Sequence, residues 1–170
     1  MVKQQILKEI IESRKSIFPK DYTGKAIADE VLAEILASAD FAPNHKRTKP
    51  WRLNILKGEK KDALGKELQN IYKKTSSPDT FLQKKYDDIG AKVSKTTAVV
   101  PIVIDFSGLV PEWEEVAAVA MAVQNMYLTA TVHNVGCYWS SPPLVAHLGE
   151  FLGLEENQKC FGIFYLGSLD

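Results

Sequence analysis

Eight consecutive residues, Ala98-Val99-Val100-Pro101-Ile102-Val103-Ile104-Asp105, carry a single charge at their end and offer no polar face to water. An extended segment with apolar, mostly β-branched side chains on both sides must be covered on both sides, so this strand requires a layer above it and another below. Pro101 has no N–H to give to a ladder and needs a bulge or an unpaired position. Other strands are foreseen at residues 51–57, where Trp51, Leu53 and Ile55 alternate with Arg52, Asn54 and Leu56, at Gly136–Trp139, and at Cys160–Leu166 ending at Gly167.

Helical spacing supplies the covering layers. Ile6, Leu7, Ile10 and Ile11 mark an amphipathic helix over 3–14 that ends at Arg14-Lys15-Ser16. Asp29 is placed to cap a second helix with Val31, Leu32, Ile35, Leu36 and Ala39 on one face. Leu64, Leu68 and Ile71, then Phe81, Leu82, Tyr86, Ile89 and Val93, mark two more, parted by the breakers at 75–79. The longest helix is expected over 113–134, rich in alanine and valine, and a short one over Leu144–Leu152. Helices and strands are interspersed, so the fold class is α+β, a sheet covered by helices. At 170 residues and 45% hydrophobic content the chain suits one domain, 1–170, because a chain of this length buries roughly two-thirds of its unfolded surface.

Charge and cysteine usage remove several functions. Lys+Arg and Asp+Glu both number 21, so no global field selects nucleic acid or an anionic membrane. Cys137 and Cys160 form no CxxC, and His45, His133 and His147 have no HxxxH spacing, so no metal site is expected. The N-terminus lacks a continuous apolar stretch of signal type, and the apolar run at 116–132 is interrupted by Gln124 and Asn125. The expectation is a soluble, cytoplasmic protein with neither nucleic acid nor membrane as partner.

Four segments carry chemistry. Residues 42–51, Ala-Pro-Asn-His-Lys-Arg-Thr-Lys-Pro-Trp, crowd hydrogen-bonding and cationic groups between two prolines; taken alone they suit a cofactor loop, a nucleic-acid contact or a solvated turn. Arg14, Lys15 and Ser16 suit a phosphate, through guanidinium and hydroxyl donors, or a basic helix end complementing the macrodipole. Glu112, Glu114 and Glu115 suit acid–base work or the positive end of the long helix. Ser140 and Ser141 near His147 lack a nucleophile elbow, and neither GxGxxG nor GxxxxGK[ST] occurs.

In chain order, Arg14-Lys15-Ser16, Ala42-Pro43-Asn44-His45 closing at Pro50-Trp51, Pro111-Glu112-Trp113-Glu114-Glu115 opening the alanine-rich helix, Gly136-Cys137-Tyr138-Trp139-Ser140 and Tyr165-Leu166-Gly167 resemble the nitroreductase family, in particular its small single-domain branch. The resemblance implies a three-layer α+β fold whose central mixed or antiparallel sheet is covered by helices. It further implies a homodimer with two FMN sites at the subunit interface, each assembled from both chains. Hydride would pass by ping-pong exchange from NAD(P)H to a small-molecule acceptor such as a nitroaromatic or a quinone. By position, Arg14, Lys15 and Ser16 would contact the ribityl-phosphate side, Pro43, Asn44 and His45 would approach the flavin from one subunit, and Tyr138, Trp139 and Ser140 would line it from the other. Flavin N5 would carry the hydride, so no catalytic side chain is assigned. A basic group near the N1–C2=O edge would stabilise the reduced flavin's charge.

The chain departs from the family pattern at Lys15, where an arginine is usual, at Ile17-Phe18-Pro19, where an arginine commonly follows the serine, and at Thr48-Lys49, where Asn-x-Gln precedes Pro-Trp. Relatives also carry a basic, phosphate-gripping segment beyond the position of Asp170, so phosphate duty is expected to fall mainly on Arg14 and Ser16. The alternatives are a non-catalytic flavin- or nucleotide-binding module and a specialised flavin dehalogenase or dehydrogenase of the same fold.

Overall fold

The computed structural model describes residues 2–169. The apolar run forms β2 (Ala98–Asp105), which pairs with β1 (Trp51–Leu53) on one side and β4 (Gln158–Ser168) on the other; β3 (Val135–Ser140) lies beyond β4. The order is β1-β2-β4-β3 and every pairing is antiparallel. Among the described residues six α-helices accompany the sheet: α1 (Lys3–Ser13), α2 (Asp29–Ser38), α3 (Gly58–Thr75), α4 (Gln83–Ser94), α5 (Glu112–Val132) and α6 (Gly149–Leu152).

Strand alternation sorts the core into two halves. Ala98, Val100, Ile102 and Ile104, with Phe164 and Leu166 of β4, pack against Leu32 and Ile35 of α2 and the Ala118–Ala130 face of α5. Val99 and Val103, with Ile163 and Tyr165, face Leu64, Leu68 and Ile71 of α3, Val93 of α4, and Val145 and Leu148. The result is helix, sheet, helix, the three layers that a two-faced apolar strand demands.

Pro101 is accommodated without a bulge of its own. It stands in register with Ile163, and the bulge lies one step on, where Ile102 pairs with Gly162 and Val103 with Cys160. Val99 exchanges both backbone hydrogen bonds with Leu56, so Pro101, two residues on, turns its missing N–H to the same side. There β1 has already stopped at Leu53, opposite Ile102. The expected strand over 51–57 is therefore three residues long and resumes only as the Leu56–Val99 bridge. Nor does Asp29 cap α2, since Ala28 occupies that position and Asp29 pairs with Lys57 Nζ at 2.5 Å. The helix expected over Leu144–Leu152 divides into a 3₁₀ turn at Pro143–His147 and the short α6.

Candidate active site

After α1 the chain is fastened to the outer strand. Ile17 N–H donates to Cys137 O at 2.9 Å, and Tyr22 Oη donates to Ile17 O at 2.8 Å and lies 3.3 Å from Tyr165 O. The Tyr22 ring rests on the cross-strand pair Gly136–Gly167, the two positions where the sheet has no side chain on that face. Burial is the chief cause that pushes the Tyr22 hydroxyl pKa far up, so this clamp is a neutral phenol.

The clamp sets Arg14 and Ser16 beside Tyr127 of α5. The Arg14 guanidinium lies over the Tyr127 ring, 5.2 Å from its centroid, and Ser16 Oγ is 3.2 Å from Tyr127 Oη. The same oxygen accepts the Trp139 N–H at 2.8 Å. Burial, foremost, raises the Tyr127 pKa, so this residue is a neutral phenol. Tyr127 thus ties two of the foreseen segments, 14–16 and 138–140, into one cluster. Sequence reading missed it, although it is the one tyrosine of α5, flanked by Met126 and Leu128. Replacing it with phenylalanine leaves the Trp139 N–H without its acceptor and is expected to cost about 1–3 kcal/mol in urea denaturation. A midpoint equal to wild type would show that the hydroxyl is dispensable.

Within the second segment, strand alternation separates the three candidates. Tyr138 and Ser140 face the α3 side; Tyr138 packs at a tilt against Phe18 with centroids 4.5 Å apart and stacks on Tyr165 at 6.2 Å. Trp139 packs on the α5 side over Gly162, where a β-carbon would fall 2.1 Å from Nε1. Its buried Nε1 has no hydrogen-bond partner among the described residues. A cavity of about 710 Å³ opens beside Ser140, lined by Phe18, Ile89, Lys92, Leu144 and Tyr165 among others. Among the described residues no carboxylate pairs with Lys92 or with Arg14, while Lys15 is exposed.

The 42–51 loop lies elsewhere. Lys46, Arg47 and Lys49 all adopt left-handed backbone, with φ of 52°, 56° and 46°, a costly choice for non-glycine residues. Side chains hold it there. Asn44 donates to Ala42 O and accepts the Lys49 N–H, Lys46 Nζ donates to Leu109 O at 2.9 Å, and Lys49 Nζ pairs with Asp40 at 3.1 Å. Asp40 also accepts from Trp51 Nε1, and that bond, then Lys49, lowers its carboxyl pKa. His45 Nδ1 meets Glu114 Oε2 at 2.6 Å in the first turn of α5. Glu115 is buried and accepts the Ser107 N–H, so its work is structural.

Glu114 and Tyr127 stand thirteen residues apart on one helix, roughly 20 Å at about 1.5 Å per residue. The chain therefore brings Arg14, Ser16 and the Trp139 backbone to Tyr127 near one end of α5, with Tyr138 and Ser140 on the other face of the same strand, and holds Pro43, Asn44 and His45 at the far end of the helix. Ile6, Leu7 and Ile11 of α1 and Met121 and Val132 of α5 are exposed, and α1 buries none of its residues. Among the described residues no helix is long and apolar enough to cross a membrane, and no His, Cys, Asp and Glu group is assembled to hold a metal.

The chain matches the model of the Nitroreductase family over residues 11–168. The Bacillus subtilis (strain 168) protein called "Putative NAD(P)H nitroreductase YfhC" is 24% identical over 168 residues, which is 97% of this chain and 85% of that protein. The nitroreductase-like family protein from Bacillus cereus superposes with a TM-score of 0.81 at 26% identity, over 100% of this chain and 89% of its own. The FMN-dependent nitroreductase NfnB from Mycobacterium smegmatis, solved in complex with NADPH, gives 0.79 at 14% identity, over 98% and 89%.

Proposed function

The chain belongs to the nitroreductase family, and from that premise we propose that it is an FMN-dependent NAD(P)H oxidoreductase acting as a homodimer on electron-poor aromatics such as nitroaromatics or quinones. The observation that carries this reading is the division of the foreseen site into two clusters about 20 Å apart along α5, with exposed apolar side chains on α1 and α5. A second copy laid on that surface would cover it and set the 42–51 loop of one chain against the Tyr138–Ser140 end of the other.

The residues suit the cofactor. The Arg14 guanidinium, unpaired among the described residues, and the Ser16 hydroxyl form a donor set for a phosphate, held rigid by the neutral phenols of Tyr127 and Tyr22. Phe18, whose ring packs on Tyr138, lines a cavity in the usual size range for a ligand site. Lys92, which lines that cavity, is the candidate for the cation near the flavin N1–C2=O edge. Bound FMN would supply the hydride relay through N5.

The test is direct. The purified protein loaded with FMN elutes as a dimer, bleaches on addition of NADPH and recovers its colour with a quinone. Flavin binding without bleaching would replace the enzyme with a binding module. A protein that takes up no FMN would overturn the reading altogether.

A further inference from the structure

Resting on that reading, we propose that His45 and Glu114 form a proton-delivering pair for the electron acceptor, with His45 as the catalytic residue and Glu114 as the positioning residue. An ionised carboxylate only accepts, so in the 2.6 Å contact between Nδ1 and Oε2 the hydrogen belongs to His45 Nδ1 and Nε2 is the ring nitrogen left for a ligand. Exposure supports this polarity. The His45 side chain is 60% exposed and that of Glu114 23%, so the carboxylate is sheltered while the ring looks outward.

The mounting is stiff at both ends. Glu114 belongs to the first turn of the longest helix, and His45 opens a turn whose left-handed residues are held by the Asn44 and Lys46 side chains. A carboxylate that fixes the tautomer of an imidazole and stabilises its cation is the arrangement of general acid–base catalysis. The remaining charges nearby in sequence are Lys46, whose Nζ donates to Leu109 O, Arg47 on the same turn, Lys49, which pairs with Asp40, and Glu112 and the buried Glu115 on α5. Neither the core nor the sheet uses the His45–Glu114 contact.

The chemistry balances. A quinone that receives a hydride, supplied by NAD(P)H through the flavin, becomes a hydroquinone monoanion and still needs one proton. The donor is the imidazolium form: its Nε2–H bond breaks, an O–H bond forms on the acceptor oxygen, and the neutral ring, which keeps Nδ1–H against Glu114, takes a new Nε2 proton from a solvent acid. In the dimer this pair would serve the site at the partner's Tyr138–Ser140 end.

Two measurements on His45→Gln, Glu114→Gln and wild type test the pair. In stopped flow with FMN-loaded protein, the rate of reoxidation by menadione divided by the rate of bleaching by NADPH falls at least tenfold in His45→Gln and by a smaller factor in Glu114→Gln. In FMN-free protein, ¹⁵N NMR of the wild-type ring shows Nδ1 protonated, and Glu114→Gln loses that preference. An unchanged ratio in His45→Gln, or a wild-type ring protonated at Nε2 alone, overturns the proposal. Wild-type protein that takes up no FMN, or does not bleach, defeats the parent reading and this one with it.

Discussion

Alanine at Gly167 lowers the stability of the FMN-free protein by about 3 kcal/mol, the upper part of the usual cost of overpacking a filled site. The added β-carbon would fall 2.1 Å from Tyr22 Cδ2 and 2.2 Å from Cγ, the stiff base of the ring rather than its tip, so the whole ring must leave. Its departure also breaks the Tyr22 hydroxyl bond to Ile17 O and frees the segment that carries Arg14 and Ser16. The measurement is urea denaturation followed by tryptophan fluorescence, with Gly167→Ala repeated in a Tyr22→Ala background. There the two ring contacts are gone and only the contact with the residue 22 β-carbon, at 2.8 Å, remains, so much of the penalty disappears. A Gly167→Ala midpoint within about 0.5 kcal/mol of wild type would show that Tyr22 moves aside freely.

That clamp shows where sequence reading stopped. The strand at 98–105 was legible because burial on both faces leaves no polar residue, and the helices were legible from their period. The terminal Tyr-Leu-Gly could be matched to a family, but the need for glycine at 167 arises from Tyr22, 145 residues earlier, and no local pattern records such a contact. Tyr127 was hidden for the same reason, since its partners Ser16 and Trp139 reach it only after the sheet forms. At 42–51 the residue types signalled a built loop, yet Asn44 turned out to bond its own loop, Lys49 to hold Asp40, and His45 to meet Glu114. The separation of that loop from residues 138–140 is a consequence of α5's length, which the sequence does contain. Proposing a composite site from that separation needs the positions of both ends.

Arg14→Ala is expected to weaken FMN binding by roughly 1.5–3 kcal/mol, the worth of a hydrogen bond to a charged group, or about 10- to 150-fold in Kd. The guanidinium is half-buried, stacked over Tyr127 and free of carboxylates among the described residues, so its donors are oriented and available for an anion. Lys15→Ala is the matched control, because the exposed Lys15 has no ion pair or hydrogen bond among the described residues and its removal changes only a screened charge. Its effect should stay near threefold and shrink as salt is raised, whereas the Arg14 effect should persist. Arg14→Lys separates charge from geometry, since an ammonium keeps the charge but loses the planar fork and the flat face that lies on Tyr127, and it should recover only part of the affinity. Fluorescence titration of FMN into the FMN-free variants reads all three. Affinity unchanged in Arg14→Ala would leave that residue with its stacking role alone and move the phosphate away from the α1 exit.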